Sequence, residues 1–384
     1  MRHWALVLTC LLLAACAQAP VMQRPDTLFR DQRFAAPSER IDAADIFAIS
    51  DEMKRYLRED IGPQLRAHGM QRGLAEALYR NGQLKLDYDT TTTRNAAEAF
   101  QARSGNCLSL LIMTASFARE LGLSVEFQSA FLEEAWAHSG NFYLRSGHVN
   151  ITLGRRVIDA GKLADSTAVT IDFLPPDDTR GLRTRTISQQ TVVAMYMNNR
   201  SAEALLQGRI DDAYWWAREA MVQSPLFMSA YNTLGVIYLR QNDAQQAERV
   251  FAHVLEREPA NTRAMFNLVL ALQRQGRAAD AQAWQQRLAA LEPEPPFHFF
   301  HLGLAAMRQN DYAAARDWFS KEISRAAYHH ESHFWLGVAS YRLGEVGQAR
   351  KHLALAMENS PTRGERDLYA AKLSWLQGGT RARH

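Results

Sequence analysis

A chain of 384 residues has room for two or three ordinary domains. Its apolar share of 47% and charged share of 22% are those of a folded globular protein and exclude a disordered or fibrous chain. The 44 basic and 41 acidic side chains leave a formal net charge of +3, so charge gives no reason to expect nucleic acid or an anionic membrane surface as the main partner.

The first residues have the pattern of an export signal. Arg2 supplies a positive charge, and residues 5–13 form an apolar run that is too short to span a bilayer. The run ends in Leu-Ala-Ala-Cys at residues 13–16, which resembles the lipobox of bacterial lipoproteins. An ordinary secretory signal that contains a cysteine is the alternative.

The resemblance to a lipobox implies that residues 1–15 are removed as a signal peptide and that Cys16 is acylated. This lipid anchor would be the protein's one attachment to the membrane, because no later stretch of the sequence is apolar enough to cross a bilayer. Ala17 stands where a lipoprotein retained in the inner membrane commonly has aspartate. We therefore expect a location in the bacterial cell envelope, on the outer membrane and facing the periplasm.

The segment after the signal is predicted to be a tether over residues 16–40, because it contains three prolines and no regular apolar spacing. The three cysteines of the chain then have different fates. Cys10 lies inside the signal and Cys16 would be acylated, which leaves Cys107 as a lone thiol in an oxidising compartment where cysteines normally pair. Cys107 is therefore either a small buried hydrophobic residue or a reactive thiol.

Residues 41–190 are predicted to form an α+β domain. Helical patterns come first, at residues 41–61, 69–86 and 94–103. Residues 107–121 are apolar nearly all round, which is typical of a helix buried in the middle of a domain. Alternating apolar and polar residues follow and predict strands at residues 123–128, 148–153 and 169–173. Helices followed by a run of strands indicate the α+β class.

Residues 191–384 carry an internal repeat with a period of 34 residues. A small residue recurs with this spacing at Ala213, Ala247, Ala281, Ala315 and Ala349. An apolar residue recurs with it at Leu234, Leu268, Leu302 and Leu336. The pattern resembles the tetratricopeptide repeat (TPR). It predicts an all-α solenoid of about five units over residues 197–366, followed by a capping helix. Such a solenoid implies a protein or peptide partner.

A candidate catalytic triad can be assembled from the α+β part. Cys107 follows the capping residue Asn106 and opens the buried helix, where the helix dipole and unpaired N–H groups favour a thiolate and an oxyanion. His148, on the polar face of a strand, is the candidate base. The orienting carboxylate is Asp172 or, as the rival, Asp159, which would share a strand face with an apolar residue.

These residues carry a resemblance to the transglutaminase-like superfamily. Arg-Ser-Gly-Asn-Cys-Leu-Ser at residues 103–109 and Gly-His-Val-Asn at residues 147–150 are similar to its motifs, and more narrowly to bacterial lipoproteins that join such a domain to TPRs. The resemblance implies a papain-like Cys-His-Asp triad of Cys107, His148 and Asp172. It implies a cysteine-dependent amide hydrolase or acyltransferase that acts on a protein or peptide held by the repeats.

Two alternatives stay open at this point. The chain could be a catalytically inactive adaptor of the envelope that binds proteins through its repeats. The spacing of His329 and His333 would suit two ligands on one helix face, but repeat-surface histidines are the preferred interpretation. The sequence predicts neither a metal site nor a cofactor.

Overall fold

The structure is a computed structural model. It describes residues 25–80, 84, 86–89, 91–130, 136–139, 142–145, 148–156, 168–173, 184–295, 297–327, 329–360 and 363–381. The predicted signal peptide, Cys16 and Asp159 lie outside the described residues. None of the described helices is long and apolar enough to cross a membrane.

Short helices precede the sheet. They are α1 (Ala43–Ile46), α2 (Asp51–Arg55), α3 (Gly62–His68), α4 (Met70–Ala75), α5 (Ala96–Ala102) and α6 (Cys107–Glu120). The single helix expected over residues 41–61 is broken, because the Ser50 hydroxyl accepts the Met53 N–H at 3.2 Å and starts a new helix. Helices α2 and α4 each continue as one π-helical turn, Tyr56–Asp60 and Glu76–Arg80.

The main sheet is formed by strands β3 (Leu123–Ala130), β6 (His148–Arg156), β7 (Val169–Ile171) and β8 (Thr184–Ile187). All neighbouring strands are antiparallel, and their order is β7-β6-β3-β8. Two smaller pairs are β1 (Asp87–Tyr88) with β2 (Ser104–Gly105), and β4 (Trp136–Ser139) with β5 (Phe142–Arg145). The three strands expected from alternation are present, and Val149, Ile151 and Leu153 of β6 are fully buried.

Helix α6 packs against β3 and β6 of the sheet, against α5, and against the first helix of the C-terminal part. Its side chains from Cys107 through Ala118 are all buried. This burial on every side is what an apolar sequence without a polar face requires.

The C-terminal part is a solenoid of antiparallel helix pairs closed by one long helix. Its helices are α7 (Gln189–Leu206), α8 (Ile210–Gln223), α9 (Met228–Arg240), α10 (Ala244–Arg257), α11 (Thr262–Arg274), α12 (Ala278–Leu291), α13 (His298–Arg308), α14 (Tyr312–Arg325), α15 (His330–Arg342), α16 (Val346–Asn359) and α17 (Arg363–Arg381). The first pair begins at Gln189, ahead of the residue 197 expected from the period. Among the described residues, one apolar core runs from Leu28 to Ala281, and two separate clusters follow, from Phe297 to Ala339 and from Ala349 to Leu376.

The described part of the expected tether, residues 25–40, is a docked segment that we call the strap. The Phe34 ring stacks on Tyr214 with centroids 3.8 Å apart. The Leu28 carbonyl accepts hydrogen bonds from the Tyr238 hydroxyl at 2.7 Å and from the Gln246 amide at 2.9 Å. The strap is therefore docked on the repeats, with Leu28, Phe29 and Phe34 buried in the core, unlike the free chain that its prolines suggested.

A glycine at the same repeat position lets paired helices approach closely in two units. A Cβ built on Gly235 would overlap the ring of Phe251, and one on Gly303 would overlap the ring of Phe319. Both phenylalanines are fully buried and have no room to withdraw.

We expect Gly235→Ala to lower the free energy of unfolding by about 1–3 kcal/mol, because the added methyl group overpacks a rigid contact. The matched control is Gly347→Ala in helix α16, where a Cβ would meet nothing within 4 Å. Alanine there should leave stability unchanged or raise it by up to about 1 kcal/mol, since it is the better helix former. Urea denaturation of both variants measures the difference, and equal stabilities would contradict the close approach.

Candidate active site

Cys107 is the first residue of helix α6 and is buried, with 5% of its surface exposed. The Asn106 side chain caps the helix by accepting hydrogen bonds from the N–H and the hydroxyl of Ser109, both at 2.9 Å. The N–H groups of this first turn have no partner within the helix, and the positive end of the helix dipole lies beside the thiol. Both features favour negative charge that forms at this helix start during a reaction.

His148 and Asp172 come from neighbouring strands. His148 opens strand β6, and Asp172 directly follows strand β7, which pairs with β6. The His148 Nε2 atom lies 2.7 Å from Asp172 Oδ1, within hydrogen-bond distance. The side chain of His148 is almost completely buried, whereas the carboxylate of Asp172 is partly exposed.

The Cys107 side chain lies close enough to the His148 ring to raise the pKa of that ring. Because Nε2 faces Asp172, Nδ1 is the ring nitrogen available to the sulfur. The structure therefore brings the three residues of the candidate triad together, with the ring between the thiol and the carboxylate. Of the two candidate carboxylates, Asp172 occupies this place, and Asp159 is outside the described residues.

The surroundings of His148 favour its protonated form. Burial of the ring lowers its pKa, but the hydrogen bond to Asp172 and the charges of Asp172 and Cys107 beside the ring outweigh burial and raise the pKa of His148 to about 9. At neutral pH the ring is an imidazolium beside the sulfur. That is the electrostatic arrangement of an activated cysteine.

Asn150 is a site residue that the sequence did not single out. It lies two positions after His148 on the same face of β6, and its Nδ2 atom is 3.5 Å from Asp172 Oδ2. Its Oδ1 atom is buried and has no hydrogen-bond partner among the described residues. The signal that could have found it is the period of two along the strand.

The two histidines with metal-ligand spacing have other contacts. His333 Nε2 lies 2.9 Å from the Ala327 carbonyl oxygen, and His329 Nδ1 lies 2.6 Å from the Ser332 hydroxyl. Within the described ranges, no three histidine, cysteine, aspartate or glutamate side chains are grouped so as to hold a metal ion.

Comparisons with known proteins bear on the C-terminal part. The family model of the tetratricopeptide repeat matches residues 232–298, 289–330 and 300–363. Similar solved structures include PilF of Pseudomonas aeruginosa, which is 19% identical. The match covers 50% of this chain and 87% of the PilF chain, with a TM-score of 0.31. Another is YrrB, described as a TPR protein with an unusual peptide-binding site. It is 18% identical, the match covers 47% of this chain and 92% of YrrB, and the TM-score is 0.25. No curated protein matches the sequence significantly.

The family match and the stacked helix pairs define the C-terminal part of this chain as a TPR solenoid. TPRs generally bind proteins or peptides on the extended surface that their stacked units create.

We expect Asp172→Asn to lower the pKa of His148 from about 9 toward or below the ordinary histidine value. The raised value means that the folded state favours the protonated ring. Its contribution to stability is full below about pH 6.5 and is lost as the pH rises through about 9. NMR titration of the His148 ring carbons measures the shift, with His253→Ala, at a histidine of the second repeat, as the control. An unchanged titration in Asp172→Asn would contradict the pairing.

Proposed function

We propose that this chain binds a protein or peptide through its TPR solenoid and acts on an amide bond of that partner with the Cys107 thiol. The domain before the solenoid would be transglutaminase-like, and the reaction would be cysteine-dependent hydrolysis or acyl transfer. The observation that carries the proposal is the His148 ring, whose Nε2 lies 2.7 Å from Asp172 Oδ1 and whose pKa is raised by the neighbouring Cys107 as well as by Asp172.

In the first half of the reaction, the Cys107 thiolate attacks the carbonyl carbon and forms a carbon–sulfur bond. The negative charge moves to the carbonyl oxygen, where N–H groups at the start of helix α6 stabilise it. The His148 imidazolium then gives its proton to the amide nitrogen, the carbon–nitrogen bond breaks, and the amine leaves. A thioester on Cys107 and a neutral His148 remain.

In the second half, water or an amine attacks the thioester. His148 takes the proton of this nucleophile, the carbon–sulfur bond breaks, and Cys107 leaves as a thiolate. An acid or a new amide is released. Asp172 forms a hydrogen bond with the His148 ring, and it holds the orientation and the protonated form of that ring throughout the cycle.

The envelope location belongs to the same proposal. It rests on residues 13–16 and the apolar run before them, which would give a lipid anchor on Cys16 and an outer-membrane protein facing the periplasm. A free Cys107 in an oxidising compartment fits a thiol that is used chemically, because a structural cysteine there is normally paired.

The second candidate is a catalytically inactive adaptor, and the TPR match favours it. The comparisons support partner binding more directly than chemistry, because the family match lies wholly within residues 232–363. It does not extend to Cys107, His148 or Asp172. On this hypothesis the sheet and helix α6 brace the first repeats. A cellular phenotype that is fully complemented by Cys107→Ala would favour the adaptor.

We expect iodoacetamide to alkylate Cys107 below pH 7, and the rate to fall at least tenfold in His148→Ala, because the imidazolium that stabilises the thiolate is lost. An unassisted thiol reacts only as the pH nears its ordinary pKa of about 8.5. Mass spectrometry of the Cys107 peptide over pH 5–9 follows the reaction.

The matched control for alkylation is His253→Ala, which removes a histidine stacked on Tyr231 in the second repeat. If His148→Ala does not fold by circular dichroism, His148→Gln replaces it. Labelling of the wild-type protein that is slow below pH 8 and unaffected by either His148 variant would overturn the enzyme proposal in favour of the adaptor.

A further inference from the structure

A polar junction connects the first solenoid helix to the start of helix α6. At its centre is Thr93, which is fully buried. The Thr93 hydroxyl accepts hydrogen bonds from Asn106 Nδ2 at 2.8 Å and from Asn199 Nδ2 at 3.3 Å. Its backbone N–H donates to Glu203 Oε1 at 2.7 Å. Thr93 thus has hydrogen-bond partners both at the start of helix α6 (Asn106) and on helix α7 (Asn199 and Glu203).

One side of the junction fixes the residue next to the thiol. Asn106 uses Nδ2 to bind Thr93 and Oδ1 to cap helix α6 through Ser109. The Ser109 hydroxyl in turn accepts a hydrogen bond from the Arg94 N–H at 2.8 Å. Arg94 directly follows Thr93, so Ser109 is also bonded to the loop that carries Thr93. The Asn106 amide is therefore held at both ends. Because Cys107 follows Asn106 directly, a shift of this amide moves the sulfur relative to His148 on the sheet.

The other side of the junction belongs to the repeats. Asn199 and Glu203 lie one turn apart on helix α7, the first helix of the solenoid. Arg200, between them, donates to the Thr93 carbonyl at 3.4 Å. Arg200 also binds both carboxylate oxygens of Glu39 in the strap, each at 3.0 Å. Helix α7 and the strap thus meet at the loop that carries Thr93.

We propose that Thr93 is a positioning residue through which helix α7 sets the reactivity of Cys107. The inference rests on the proposed thiol chemistry. A movement of α7 on binding a partner would shift Asn199 and Glu203, reorient Thr93, and change the hold of Asn106 on the start of helix α6. The repeats would then control the thiol in addition to holding a substrate.

A purely structural role for Thr93 makes a different prediction. A buried threonine with satisfied hydrogen bonds stabilises an interface without affecting chemistry elsewhere, and its loss would lower the melting temperature alone. The positioning role requires that the pH dependence of Cys107 alkylation change at temperatures where the variant is still folded.

The test compares Thr93→Val, which keeps the shape and removes the hydroxyl, with Thr93→Ser, which keeps the hydroxyl. Alkylation of Cys107 by iodoacetamide at pH 6–7 should slow at least fivefold in Thr93→Val and recover to within twofold of wild type in Thr93→Ser. The matched control is Thr92→Val, because the Thr92 hydroxyl contacts only the adjacent Thr91 hydroxyl, at 3.4 Å, among the described contacts.

Asn199→Ala tests the coupling from the solenoid side and should slow the same reaction at least twofold. It decides the question if Thr93→Val does not fold. Wild-type alkylation profiles in folded Thr93→Val and Asn199→Ala would overturn the inference. Failure of the proposed function looks different, because the wild-type protein itself would then alkylate slowly at pH 6–7 and His148→Ala would not change it.

Discussion

The burial of helix α6 on every side is the constraint from which the arrangement of the other elements follows. A helix without a polar face cannot lie on a protein surface, since each Å² of apolar area left in water costs about 25 cal/mol. Strands β3 and β6, helix α5 and the first solenoid helix each cover part of it. The position of the first repeat is therefore fixed by the same burial that places Cys107 at a buried helix start.

This shared core connects the two proposed roles of the protein. If the chain is an enzyme, the covered helix holds a thiol in a fixed relation to His148 on the sheet, in surroundings where water is scarce and hydrogen bonds are strong. If the chain is an adaptor, the same helix anchors the first repeats of a binding solenoid. The contacts that would align the triad and those that would brace the repeats are largely the same.

Features with a local period could be predicted from the sequence: the strands, the apolar helix and the 34-residue repeat. Cys107, His148 and Asp172 could be proposed as a triad from a helix start, two alternating strands and the resemblance to the transglutaminase-like superfamily, with Asp159 as the rival carboxylate. The strap could not be predicted, since its few apolar side chains fit surfaces that exist only after the repeats have stacked. Thr93 was hidden for the same reason: its partners are remote in sequence, and it stands in a run of four threonines that suggests only a break.

The division of the apolar core after Ala281 has a consequence for cooperativity. Repeat proteins fold through nearest-neighbour contacts, so a weak joint separates two folding units. The repeats from helix α13 onward can then unfold while the proximal repeats, the strap and the thiol site keep their shape. A ligand that lies across this joint would bind both units together, and part of its binding energy would be used to make the solenoid rigid.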